Sequence, residues 1–194
     1  METGLFSAFS KKVISSIIAI GSMFYSTIDG VTPTMSINDL YFSNEHLVIN
    51  TVITNCFTEE LDQIFASGNN IPINFDVELY SGNNRLPDTT YSFFHIMQFS
   101  PIDKNYSVFL SEKNEFIYSL NIEQAKILFT SLTDFETLSS NDLDSQFSYH
   151  LKITAWLDKI QLRGMDEDLN LNFYWNSIKP SVTTSVFQKS DFQS

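Results

Sequence analysis

Three histidines, one cysteine and a few runs of carboxylates are the side chains in this chain whose types could do chemistry. His46, His95 and His150 lie far apart, and no two of them have the short spacing of a helical or hairpin metal site. His95 stands between Phe94 and Ile96 in an alternating apolar stretch. A structural imidazole with satisfied nitrogens is the reading there, not a ligand or base. His150 shares a phase with Lys152 and Thr154, opposite Tyr149 and Leu151, which suits a solvated sheet surface. Cys56 has no partner for an internal disulfide, and beside Asn55 and Phe57 it reads as a small buried side chain. Asp142, Asp144 and Gln146 begin like an oxygen-ligand loop, but Phe147 stands where such a loop needs glycine and Ile153 where it needs a bidentate Glu. Asp166, Glu167 and Asp168 form a charge run of the solvated kind. No Gly-x-Ser-x-Gly elbow, Ser-x-x-Lys pair or phosphate-binding glycine loop occurs. The expectation is a protein without catalytic, cofactor-binding or metal-binding residues.

Aromatic content is the feature most in excess, with 18 Phe and 8 Tyr. Phe93, Phe94, Phe99, Tyr106, Phe109, Phe116 and Tyr118 crowd the middle of the chain. Adjacent Phe93 and Phe94 must face opposite sides of a strand, so one of them lies off the main core face. Phe93, Phe94, Phe99, Tyr106 and Phe109 are therefore the candidate binding surface. The same apolar supply excludes disorder, and a chain of 194 residues buries roughly 70% of its unfolded surface. The net charge of −12 leaves no cluster of Lys and Arg to neutralise phosphates, which disfavours nucleic acid.

Period-two alternation sets the elements that must position these residues. Leu47, Ile49, Thr51 and Ile53 share one face, and Ile73, Phe75, Val77 and Leu79 form a second stripe. Phe147, Tyr149, Leu151, Ile153, Ala155 and Leu157 form a third; Leu169, Leu171, Phe173 and Trp175 form a fourth, with a turn at residues 163–166 predicted to pair the two. Residues 91–99, 106–110 and 115–118 read as three further strands joined by turns at Ser100-Pro101 and Lys113-Asn114. Thr58, Glu59 and Glu60 open a short helix burying Leu61, Ile64 and Phe65, with Gly68 as its C-cap. Asn121 with Gln124 predicts a capping box for a second helix that buries Ile122, Ala125, Leu128, Phe129 and Leu132. The fold class is α+β: a mainly antiparallel sheet or sandwich with two short helices.

At the N-terminus, Lys11 and Lys12 precede residues 13–25, an uncharged apolar run broken only by Ser and Gly. This is the form of a secretory signal. As a helix it spans roughly 20 Å, short of the hydrocarbon core of about 30 Å. Ala19 and Gly21 offer the small-x-small cleavage pattern, leaving a chain that begins at Ser22. Residues 1–30 thus read as a signal peptide or membrane anchor preceding one β-rich domain over 31–194, the alternative being that residues 5–25 are a buried N-terminal helix of a cytosolic domain. Removing the leader removes Lys11-Lys12, the only adjacent basic pair. The acidic body then has nothing to draw it to an anionic membrane except that leader.

Several segments together resemble a family. Phe57, Glu60, Leu61, Ala66, Ser67, Gly68, Ile73, Phe75 and Tyr80, then His95, Phe99, Pro101, Lys104, Tyr106 and Val108, follow the order of a family of small uncharacterised bacterial envelope proteins, known as a domain of unknown function. Tyr149, Leu151, Ile153, Leu157, Asp158, Ile160 and Leu162 resemble its long penultimate strand, and Trp175 with Ser177 its closing motif, so the likeness runs over about residues 36–187. Gly164, Met165 and Asp166 stand where that strand would be followed by proline. The resemblance implies an exported protein with an N-terminal signal or anchor and carries over no catalytic residue.

The function expected is a non-enzymatic periplasmic or envelope-associated interaction module, exported to the periplasm or the periplasmic face of the inner membrane. Its partner is an envelope protein, and the inner membrane is touched through the N-terminal segment if that is uncleaved. The alternative is a carrier for a lipid or other apolar ligand in a cavity lined by Phe and Tyr. A hydrolase built on an unfamiliar carboxylate pair ranks last.

Overall fold

The computed structural model describes residues 30–161 and 168–193. The predicted leader and the turn at residues 163–166 lie outside the described residues. Among the described residues twelve strands run β1 (Thr34–Ser43), β2 (His46–Thr54), β3 (Ile71–Ser81), β4 (Thr89–Ser100), β5 (Asn105–Leu110), β6 (Glu115–Leu120), β7 (Ser131–Ser139), β8 (Ser148–Leu157), β9 (Lys159–Gln161), β10 (Asp168–Asn170), β11 (Ser181–Thr183) and β12 (Phe187–Gln188). Helix α1 (Glu59–Phe65) follows β2, and α2 (Ile122–Thr130) joins β6 to β7.

The large sheet has the order β11-β8-β3-β4-β5-β6, with β12 also on β8; a three-stranded sheet has the order β1-β2-β7, and β9 pairs with β10. Every strand pairing among the described residues is antiparallel. Over the described residues the chain forms the predicted α+β class, mainly antiparallel sheet with two short helices.

Alternation decides which side of the large sheet is dry. Ile71, Ile73, Phe75, Val77 and Leu79 of β3 and Tyr149, Leu151, Ile153, Ala155 and Leu157 of β8 are buried on its inner face. Leu47, Ile49 and Ile53 of β2 meet them from the small sheet. Aromatic rings fill the interlayer: Phe75 stacks on Phe93 at 5.3 Å, and Phe93 meets Phe135 of β7 at 4.8 Å. Both helices complete the cover of that face. Phe65 of α1 packs edge-on against Phe129 of α2 at 5.4 Å, and Lys126 of α2 reaches Asp62 of α1 at 2.7 Å.

Local chemistry agrees with the predicted helix starts. Thr58 accepts the Leu61 amide as N-cap, and Asn121 and Gln124 form the reciprocal capping box. The C-cap of α1 is Ala66, not Gly68. Gly68 serves two residues later, at φ +80°, where a side chain would be strained and would sit 3.5 Å from the Phe99 carbonyl. Leu132, predicted on the second helix, belongs instead to β7.

The fourth stripe is also corrected. Only Asp168–Asn170 is strand, paired with Lys159–Gln161, and Leu171–Trp175 is a 3₁₀ turn. With about three residues per turn, Leu171, Tyr174 and Trp175 point inward while Phe173 is exposed.

Candidate functional site

Register builds the outer face of the large sheet row by row. Asn74 on β3 lies opposite Trp156 on β8 and Phe94 on β4; Asp76 lies opposite Thr154 and Ser92; Glu78 lies opposite Lys152 and Thr90. These positions alternate with the buried stripe, so their side chains stand on the outer side. Neither the small sheet nor the helices cover them.

Across β4, β5 and β6 this face becomes aromatic. Phe94 lies 6.0 Å from Phe109, Phe109 lies 4.5 Å from Phe116, and Phe116 stacks near Tyr118 at 5.7 Å. Phe116 is 52% and Tyr118 66% exposed, large values for rings gathered in a row. The row ends on β6, which pairs with β5 on one side and with no strand on the other among the described residues. The edge is irregular as well: the β5–β6 register shifts between Tyr106 and Val108, and Ser119 has φ +61°.

The five residues of the sequence-derived surface divide between the two faces. Phe94 and Phe109 stand together on the outer side, while Phe93 is buried in the interlayer. Phe99 and Tyr106 pair at 4.8 Å, half-buried on the inner side. Phe116 and Tyr118, members of the same aromatic crowd but outside the five-residue candidate surface, complete the outer side together with Trp156. The signal for Trp156 was present: an indole in the polar phase of an otherwise alternating strand.

The titratable residues are held structurally. His95 is fully buried, with Nδ1 3.1 Å from the Phe129 carbonyl and Nε2 3.2 Å from Glu112 Oε2. The second contact is close enough for charge attraction but out of line for a straight hydrogen bond, and neither atom has another hydrogen-bond partner. Burial pushes the Glu112 carboxyl up, but the His95 contact, aided by a backbone N–H and Lys113, outweighs it and holds the group below the ordinary range. Cys56 is buried, its thiol pushed up to about 12 by desolvation, and its carbonyl accepts the Trp175 indole N–H at 2.8 Å. His150 stacks on Tyr80 at 5.1 Å on the outer face.

The acidic loop spends its oxygens on the backbone. Asp142 accepts the Ser139 amide and Asp144 the Gln146 amide. With Asp88 they edge a depression of about 500 Å³. Among the described residues no group of three or more His, Cys, Asp or Glu is placed to hold a metal ion.

The model of a domain of unknown function, DUF4390, matches residues 36–165. The chain belongs to the DUF4390 family. No curated protein and no solved structure matches it. The DUF4390 match takes in both helices, β1 from Ser36 onward, β2 through β9 and every outer-face residue named above. It stops short of Trp175 and Ser177, so the closing motif of the resemblance lies beyond it.

Proposed function

We propose that this DUF4390 protein is a non-catalytic interaction module of the bacterial cell envelope, which takes an extended, basic segment of a partner protein along the open edge of β6. The observation that carries this reading is the row Phe94, Phe109, Phe116 and Tyr118, leading across the outer face to a strand with one free edge. An added strand satisfies the free main-chain groups of β6, and its alternate side chains rest on the aromatic row. The net charge of −12 favours Lys and Arg in that segment and opposes a second copy of the same chain. The uncharged run at residues 13–25 behind Lys11-Lys12 supports export.

The test places a photo-crosslinking residue at Phe116, Tyr118 or, as control, the exposed loop residue Leu86, in living cells, and sequences the crosslinked site. Phe116 and Tyr118 capture an extended segment rich in Lys and Arg, and Leu86 does not. An acidic or helical target, or equal capture through Leu86, contradicts the reading. Fusion of residues 1–30 to a reporter active only after export tests the compartment.

No observation favours the carrier reading. Phe75, Phe93 and Phe135 fill the interlayer, and two depressions of about 430 and 500 Å³ present Asn, Gln, Lys and Asp on their walls.

A further inference from the structure

The first row of the outer face is more than a flank of the aromatic stripe. Trp156 and Phe94 stand on either side of Asn74, two strand spacings apart, or about 9.5 Å by sheet geometry. Between them lies a groove of about 250 Å³, lined by Asn74, Asp76, Ser92, Phe94 and Trp156 among others. Its walls are aromatic and its floor is polar. Ser92 Oγ donates to Asp76 Oδ1 at 2.6 Å, leaving the other carboxylate oxygen open. Asn74 Nδ2 makes only a long contact, 3.5 Å, to Asp158. Lys179 Nζ sits 4.5 Å from the Trp156 ring centre without lining the groove, which steadies the indole through its π face.

We infer that this groove binds a neutral saccharide ring. A pyranose has apolar C–H faces that lie flat on aromatic rings and an equatorial rim of hydroxyls that both donate and accept. The Trp156 and Phe94 walls match the faces, and the Asn74 amide, Asp76 carboxylate and Ser92 hydroxyl match the rim. The charge pattern selects against ions. Lys152 is already paired with Glu78 at 3.4 Å, Asp76 on the floor opposes an anion, and Lys179 beside Trp156 opposes a cation. The volume lies below the roughly 300 Å³ at which drug-sized sites begin, so it suits a single ring better than a lipid chain. This site shares Phe94 with the β6 surface but does not depend on strand addition.

The test titrates the folded chain with N-acetylglucosamine trimer, cellotriose and maltotriose, read by saturation-transfer NMR and tryptophan fluorescence. Trp175 is buried with its N–H bonded to Cys56, so a fluorescence change reports Trp156. Saturation transfers to the ring C–H protons of at least one sugar, with a Kd on the order of 1 mM. Trp156→Ala weakens binding about tenfold. Asn74→Ala weakens it as well and serves if the tryptophan variant fails to fold. Phe116→Asp leaves it unchanged. No transfer from any of the three sugars at about 20 mM, or affinity in both groove variants equal to that of the natural chain, overturns the inference. So does binding of free arginine in the groove without sugar, which would assign it to a cationic side chain of a protein.

Discussion

At Nδ1 the His95 ring meets the Phe129 carbonyl, which can only accept, so that nitrogen carries hydrogen. Nε2 faces a carboxylate oxygen of Glu112. Both side chains are buried where the turn after β5 meets the end of α2. Removing one partner leaves the other polar group buried and unpaired, so His95→Ala and Glu112→Ala each lower stability by about 3 kcal/mol in urea unfolding. The pH dependence has a definite sign. Because the fold lowers the Glu112 carboxyl, its contribution is full above the unfolded value, near 4.3, and is lost as pH falls through the folded value. The stability gap between the natural chain and Glu112→Gln therefore narrows on acidification below about pH 4, and a gap constant to pH 2.5 contradicts this. Cys56, with its thiol near 12 and buried, stays unlabelled by a disulfide reagent at pH 8 until the chain unfolds. Burial of His95 and Cys56 was legible from their apolar neighbours. Glu112 was not, because nothing in a turn sequence shows that it reaches His95 on the neighbouring strand β4.

Among the elements, long regular alternation was legible and interrupted alternation was not. β3 and β8 keep period two throughout and stand where their stripes place them, except that Phe147, read as the first residue of the β8 stripe, lies before the strand and is exposed. β1 and β7 gave no clean stripe. The β1–β2 register shifts between Ile37 and Asp39, the β2–β7 register shifts twice, and Asp134 adopts φ +51°. Each bulge exchanges inside for outside in the pattern that follows. The run ending at Leu132 therefore read as helix when its last residues pair with β2. In the 3₁₀ turn at Leu171–Trp175, apolar residues at every second position imitated a strand although the chain turns with a shorter period. Helix signals were local and held. Asn121→Ala, which opens the capping box, lowers stability by about 1 kcal/mol. Phe129→Ala, which empties a fully buried site against Phe65, lowers it by about 3–5 kcal/mol. Chemical denaturation of the two variants checks that order, and an equal loss in both contradicts it.

For the molecule as a whole, one face of the large sheet is covered by a second sheet and two helices, and the other carries both polar rows and exposed rings. The sequence placed the aromatic excess near the middle strands but could not sort it, because facing depends on register and on which strand ends at an edge. The groove flanked by Trp156 and Phe94 depends on the pairing of β8 with β3, two strands far apart in the chain. Since the outer rings are exposed, Phe116→Asp and Tyr118→Asp change the melting temperature little, while abolishing capture of the partner. A fall comparable to that of Phe129→Ala would instead make those rings part of the core. The most direct test of the β6 edge is amide hydrogen exchange along Glu115–Leu120 with a peptide of about ten residues alternating valine and lysine, against the same composition interrupted by proline. At about ten times its Kd the alternating peptide slows exchange in β6 about tenfold, the proline peptide does not, and Phe116→Asp removes the effect. Unchanged β6 exchange, or equal slowing by the proline peptide, would contradict strand addition at this edge.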